Sequence, residues 1–197
     1  MKNILIILLL LFIVHSATYS QTDETDKYGG RKIKETGEYQ SKSKPKLSNS
    51  GKTSTSKVIS VIDAYTLRIY YMGNKASVRF IGIDCPESRV NKKSRRDAEK
   101  SGKNIETILK MGKRAKEFVE SLVKPGDLIT IEYDVKQMDR YKRLLGYVYL
   151  PNGKMLNEEI VKAGYASALT IPPNEKYQGT FLKAYQDARR DKLGFWK

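Results

Sequence analysis

The chain has 197 residues, one cysteine (Cys85) and one histidine (His15), with 37 Lys and Arg against 22 Asp and Glu, a formal net charge of +15. A single cysteine excludes a disulfide scaffold and a multi-cysteine zinc or iron–sulfur centre. A charge this high points to a polyanionic partner: nucleic acid, anionic lipid or acidic glycan. At the N-terminus Lys2 precedes the apolar run Ile4 to Val14. That pattern predicts a secretory signal peptide over 1–20, and the run is too short for a membrane span. His15 lies inside it, so the mature chain is expected to have no histidine base, nucleophile partner or metal ligand. Residues 21–56 hold few apolar side chains beyond Tyr28, Ile33, Tyr39 and Leu47. Burial of so little cannot offset ordering entropy, and the segment reads as a disordered basic linker. The remainder, 57–197, is enough for one domain with a real core.

From Val58 to Ile62 the chain reads as a strand, and Thr66 to Tyr71 as a second. Met72-Gly73-Asn74-Lys75 is a hairpin turn, with Gly73 or Asn74 at positive φ. Ala76 to Ile83 is a third strand, ended by Pro86 in Asp84-Cys85-Pro86-Glu87. Residues 88–103 form a basic excursion with seven Lys or Arg against two acids. A helix follows over 104–123, with Ile105, Ile108, Leu109, Gly112, Ala115, Val119 and Leu122 on one stripe. Gly112 in its middle marks a close approach. Leu128 to Tyr133 is a fourth strand, Asp134 to Lys142 a polar loop and Arg143 to Leu150 a fifth strand. Leu156 to Ala163 and Asn174 to Lys192 are the last helices. Only one break between strands is long enough for a crossover helix, which argues against a doubly wound sheet. The expected fold is mainly β with helices (α+β): a five-stranded OB-type Greek-key barrel with about three packed helices.

Three segments carry chemistry-bearing side chains. In Arg79-Phe80-Ile81-Gly82-Ile83-Asp84-Cys85-Pro86-Glu87 a strand ends in two carboxylates, with an arginine upstream. Asp139-Arg140-Tyr141-Lys142-Arg143 is a basic and aromatic turn that opens a strand. Asp63-Ala64-Tyr65-Thr66 joins the first two strands. A hard metal ion needs carboxylate and carbonyl oxygens, and a phosphodiester needs guanidinium forks. Taken singly, Arg79 and Asp84 also fit a plain ion pair at a strand end. Arg143 fits ordinary surface, Glu87 loop polarity, and Tyr141 barrel packing.

Together the segments VIDAYTLRIY, VRFIGIDCPE, MGKRAKEF, DRYKRLLGYVYL and GKMLNEEIVKAGYA resemble the thermonuclease family of staphylococcal-nuclease-like domains over about Lys57 to Trp196. The resemblance implies an OB barrel that cuts DNA and RNA with Ca²⁺, leaving 3′-phosphate and 5′-hydroxyl ends. It assigns Asp84 and the Cys85 backbone carbonyl to the metal, with Asp63 in its outer shell. It assigns Glu87 to the attacking water and Arg79 and Arg143 to the scissile phosphate. Tyr141 falls beside the substrate pocket, with Arg140 and Lys142 as further substrate contacts.

One departure bears on activity. The family pattern is Asp-Gly-Asp-Thr, and here Tyr65 stands where its second aspartate binds calcium. A neutral phenol is a poor hard-cation ligand. Either Asp63 turns inward to compensate, or the ion is held weakly with help from substrate phosphate, or catalysis is lost. The main reading is a monomeric, secreted or periplasmic, Ca²⁺-dependent nuclease acting on DNA and RNA. Its alternative is a non-catalytic nucleic-acid-binding OB module with a degenerate metal site. A third reading, an exported protein binding anionic polymer through residues 21–56, accounts for the charge alone.

Overall fold

The computed structural model describes residues 51–197 and the backbone of two short strands, Arg31–Lys32 (β1) and Tyr39–Gln40 (β2), which pair antiparallel. The expected signal peptide and most of the expected linker lie outside the described residues.

A long strand, Thr53–Asp63 (β3), opens the described domain. Its first half, Thr53 to Lys57, pairs with Leu128–Glu132 (β7). Its second half, Lys57 to Asp63, pairs with Thr66–Tyr71 (β4). Register shifts at Val58/Ser60 and Val61/Asp63 mark irregularities that let one strand bend through both partners. The strand begins four residues ahead of the expected domain start because Thr53-Ser54-Thr55-Ser56 supply backbone for barrel closure rather than apolar side chains.

β4 leads through a two-residue loop into Asn74–Phe80 (β5). The loop residues Met72 and Gly73 both take positive φ, 49° and 78°, the twist a tight hairpin requires. Asn74, a candidate for positive φ, is instead the first residue of β5, opposite Tyr71. β5 runs parallel to Leu144–Tyr149 (β8), and β8 runs antiparallel to β7. The order β3-β4-β5-β8-β7 closes on itself, so the five-stranded mixed barrel has no open edge. It is consistent with the expected OB-type architecture. The core includes Leu67, Ile69, Val78, Phe80, Ile129, Ile131 and Val148, all essentially inaccessible.

Among the described residues four α-helices pack around the barrel, against about three expected: Lys92–Ser101 (α1), Ile105–Leu122 (α2), Leu156–Lys162 (α3) and Gln178–Arg190 (α4). α1 occupies most of the excursion that reads as a loop. Its only buried residue is Ser94, so it presents no apolar stripe. Its ends hold it instead. Asn91 and Ser94 form a reciprocal capping box, and Gly102 at φ 67° closes the C-terminus. α2 behaves as its stripe predicts, burying Ile108, Gly112, Ala115 and Val119. α4 begins four residues later than expected. Asn174 is committed elsewhere, accepting from the Lys136 amide (2.8 Å) and donating to its carbonyl (2.8 Å).

The expected third strand is two strands. β5 ends at Phe80, and Gly82–Asp84 (β6) leaves the barrel to pair with Ser167–Leu169 (β9), a strand the hydrophobic pattern does not announce. The break sits at Gly82, whose φ is 81°; a Cβ there would lie 2.2 Å from the Phe181 ring. Buried Asn157 of α3 spans the divergence. It accepts from the Val148 amide of β8 (2.9 Å) and donates to the Ile81 carbonyl (2.9 Å).

Candidate active site

The β3–β4 turn, the end of β5, the start of α1 and the loops at 136–143 and 169–174 surround a cleft of about 620 Å³. Asp63, Arg79, Glu87, Tyr141 and Arg143 all line it, as does Tyr65. Their separation in sequence closes only because β4, β5 and β8 are neighbours in the barrel.

Tyr65 sits in the middle of this group and is 4% exposed. Its hydroxyl donates to Glu87 Oε1. The Arg79 guanidinium lies 3.3 Å from its ring centroid, stacked on the face. Burial, foremost, pushes the phenol far above its ordinary range, so it is neutral. Asp63 accepts the Tyr65 amide (3.0 Å). Burial raises its carboxyl, outweighing that bond and Arg79. Glu87 takes a second donor, Asn91 Nδ2, on Oε2 (2.9 Å). Its backbone is fixed from below by Gly112 of α2, where a Cβ would lie 2.3 Å from the Glu87 carbonyl carbon and oxygen. That is the close approach the mid-helix glycine signals.

The two expected metal ligands meet a side chain of α1. Lys93 Nζ donates to the Cys85 carbonyl (2.8 Å) and to Asp97 Oδ2 (2.7 Å), and lies 3.3 Å from Asp84 Oδ2. Arg79 Nη2 is 3.7 Å from the other Asp84 oxygen. Burial raises the Asp84 carboxyl despite both cations. Burial lowers Lys93, but Asp84 and Asp97 outweigh it and hold the amine protonated above its ordinary value. The Cys85 thiol is buried, which pushes it well up and leaves it no thiolate role. Lys93 lines the cleft, while Asp84 and Cys85 are not among its lining residues.

This donor set does not match a resident divalent ion. Calcium takes six to eight oxygens. Here Asp84 and the Cys85 carbonyl face an ammonium, and the third position is a neutral phenol bonded to Glu87. Among the described residues no group of three or more His, Cys, Asp and Glu is arranged to hold a metal.

Arg143 precedes β8, the strand paired with β5, and is clasped by Asp139. Its Nε donates to Oδ2 (2.7 Å) and its amide to Oδ1 (3.0 Å). Partial burial raises Asp139, but the Arg143 and Tyr141 hydrogen bonds prevail and lower it. Tyr141 is 64% exposed, with the Arg143 guanidinium 5.6 Å and the Arg140 guanidinium 4.7 Å from its ring centroid. Arg140 and Lys142 are exposed and are not among the lining residues. Leu145, Leu169, Ile171, Pro172 and Pro173 form an apolar wall, with Ile171 64% exposed.

Sequence reasoning passed over Asn91, Lys93, Asp97 and Asp139. Two signals mark the first three: Asn91 with Ser94 three residues on is a helix cap, and Lys93 with Asp97 is an i,i+4 pair. Asp139 was visible only as part of a basic turn.

The staphylococcal nuclease homologue family model matches residues 77–197. The chain belongs to that family. It is 33% identical over 150 residues to the thermonuclease of Staphylococcus hyicus, covering 76% of this chain and 79% of that protein. It is 32% identical over 184 residues to endonuclease YncB of Bacillus subtilis (strain 168), covering 92% of this chain and 72% of that protein. To endonuclease YhcR of the same organism it is 36% identical over 121 residues, 60% of this chain but only 9% of that much longer protein. Family membership supports a nuclease-family function. No helix among the described residues is long and apolar enough to cross a membrane.

Proposed function

We propose that this domain binds the phosphodiester backbone of DNA and RNA in the cleft, as a nucleic-acid-binding member of the nuclease family whose metal site is degenerate. The observation that carries this reading is the commitment of Asp84 and the Cys85 carbonyl to Lys93, beside a neutral Tyr65. Arg79 of β5 and Arg143, just ahead of the neighbouring β8, both line the cleft, where two guanidinium groups suit phosphate oxygens. Exposed Tyr141 offers a face for base stacking, and the apolar wall at Leu169 to Pro173 offers another. The net charge of +15 supports the same partner. Export, inferred from Lys2 and the apolar run to Val14, and a monomeric state belong to this proposal.

A hydrolytic reading, with Ca²⁺ as cofactor, keeps one observation in its favour. Glu87, Arg79 and Arg143 share one cleft, the set needed to place water and to hold a pentacoordinate phosphorus. Incubation with single-stranded DNA and RNA in Ca²⁺, Mn²⁺ or EDTA separates the two, with Glu87→Gln alongside. Binding without cleavage in every medium is the expected result. Cleavage by the wild type that Glu87→Gln abolishes would overturn the non-catalytic reading.

A further inference from the structure

We propose that the Lys93 ammonium is the built-in cation of this cleft, filling the place formed by Asp84 and the Cys85 carbonyl, so that a phosphodiester is taken up without a divalent ion. The inference rests on the nucleic-acid reading above and names what stands in its metal position. An ammonium has three N–H donors. Three chain oxygens surround this one: the Cys85 carbonyl at 2.8 Å, Asp97 Oδ2 at 2.7 Å and Asp84 Oδ2 at 3.3 Å. The side chain is held as a bound ion would be, by carboxylates and a carbonyl.

The helix that delivers it is placed by the site itself. Asn91 caps α1 through the Ser94 amide (2.8 Å) and also donates to Glu87 (2.9 Å). Lys93 is the second residue of α1, so its position is set by that cap. Charge agrees with geometry. Arg79 and Lys93 face Asp84 and Asp97, and the carboxyl groups of Asp63 and Glu87 line the same cleft. A divalent ion in the same place would have to expel an ammonium from all three oxygens. Lys93 lines the cleft together with Arg79 and Glu87, so its charge acts on an anion lying there.

The test begins with calorimetric titration of Ca²⁺ into the full chain, which does not depend on activity. The wild type is expected to give no binding heat to about 10 mM. Lys93→Met frees two carboxylates and a carbonyl and is expected to bind Ca²⁺ with Kd of about 10⁻⁴–10⁻³ M. Lys93→Arg keeps the charge and is expected to gain none. Circular dichroism and thermal melting establish that each variant is folded. Wild-type Ca²⁺ binding as tight as that of Lys93→Met would overturn the proposal.

Anisotropy of a labelled single-stranded oligodeoxynucleotide at fixed ionic strength supplies the second arm. Wild-type affinity should be the same in EDTA and in Ca²⁺ within about twofold. Lys93→Met should lose about tenfold in EDTA and regain part of it in Ca²⁺, since it removes one positive charge at the wall of the cleft. Wild-type binding that requires Ca²⁺ would overturn the built-in cation while leaving the nucleic-acid reading intact. No binding in either medium would overturn that reading and the phosphodiester part of this one, while the calorimetry still decides on Lys93.

Discussion

Gly112→Ala tests how α2 holds Glu87. On helix propensity alone the substitution should stabilise by about 1 kcal/mol, because glycine in a helix interior costs that against alanine. The structure reverses the sign. A Cβ at 112 would lie 2.3 Å from the Glu87 carbonyl carbon and oxygen and 2.5 Å from the Ser88 amide nitrogen. Ordinary contacts between such atoms are about 3.5 Å or longer, so helix and segment must separate by roughly 1 Å. The atoms struck are backbone, and no rotamer change relieves them. Overpacking costs about 1–3 kcal/mol, and a clash with backbone that no rotamer relieves falls in the upper part, about 2–3 kcal/mol. Against the propensity gain this leaves a net loss of roughly 1–2 kcal/mol and a melting temperature lower by about 2–8 °C. Glu87 moves with its backbone, which disturbs the bonds from Tyr65 and Asn91. Guanidinium denaturation of wild type and variant measures the effect. Gly179→Ala in α4 is the control: it meets nothing within 4 Å and should be neutral or stabilising by a few tenths of a kcal/mol. A Gly112→Ala protein as stable as wild type would refute the close packing of α2 on Glu87.

Asn157→Ala strips partners from the Val148 amide and the Ile81 carbonyl, both buried at the β5–β8 divergence. Denaturant unfolding should show a loss of about 2–4 kcal/mol, and a loss under about 1 kcal/mol would mean that water replaces the side chain. Burial raises the Glu132 carboxyl, but bonds from Lys176, Tyr149 and Tyr177 prevail and lower it. A lowered carboxylate contributes stability above its unfolded pKa, near 4.3, and loses it as pH falls through the folded value. The melting-temperature gap between wild type and Glu132→Gln should therefore be widest at pH 6–7 and shrink below about pH 4; a gap that grows on acidification contradicts the assignment. Arg143→Ala should weaken oligonucleotide binding about 10- to 100-fold by removing a charged donor. Arg143→Lys should recover only part of it, because an ammonium cannot both fork to phosphate and keep the Asp139 clasp; an unchanged affinity in the alanine variant would place the phosphate elsewhere.

Much of the barrel was legible in the sequence because β4, β7 and β8 alternate or run apolar and end at turn residues, and these patterns are local. The stripe of α2 was legible for the same reason, down to the meaning of Gly112. So were the polar residues that meet in the cleft, since Asp63, Arg79, Glu87 and Arg143 sit at strand ends and the barrel gathers those ends. Three features were decided only by tertiary structure. The first half of β3 is Thr53-Ser54-Thr55-Ser56, and its strand conformation comes from pairing with β7, distant in sequence. β6 leaves the barrel at Gly82 to pair with β9, and Phe181 of α4 packs there so closely that a Cβ would not fit, a contact that no local pattern encodes. α1 buries no apolar side chain, so periodicity was silent; its caps and its ion pairs to the site fix it. That last element carries Lys93 to Asp84 and the Cys85 carbonyl. A charged residue in a basic run looks like every other until the fold sets it among oxygens. Tyr65 could be read from sequence as a missing carboxylate. Only packing shows that its hydroxyl is bonded to Glu87 and its ring covered by Arg79.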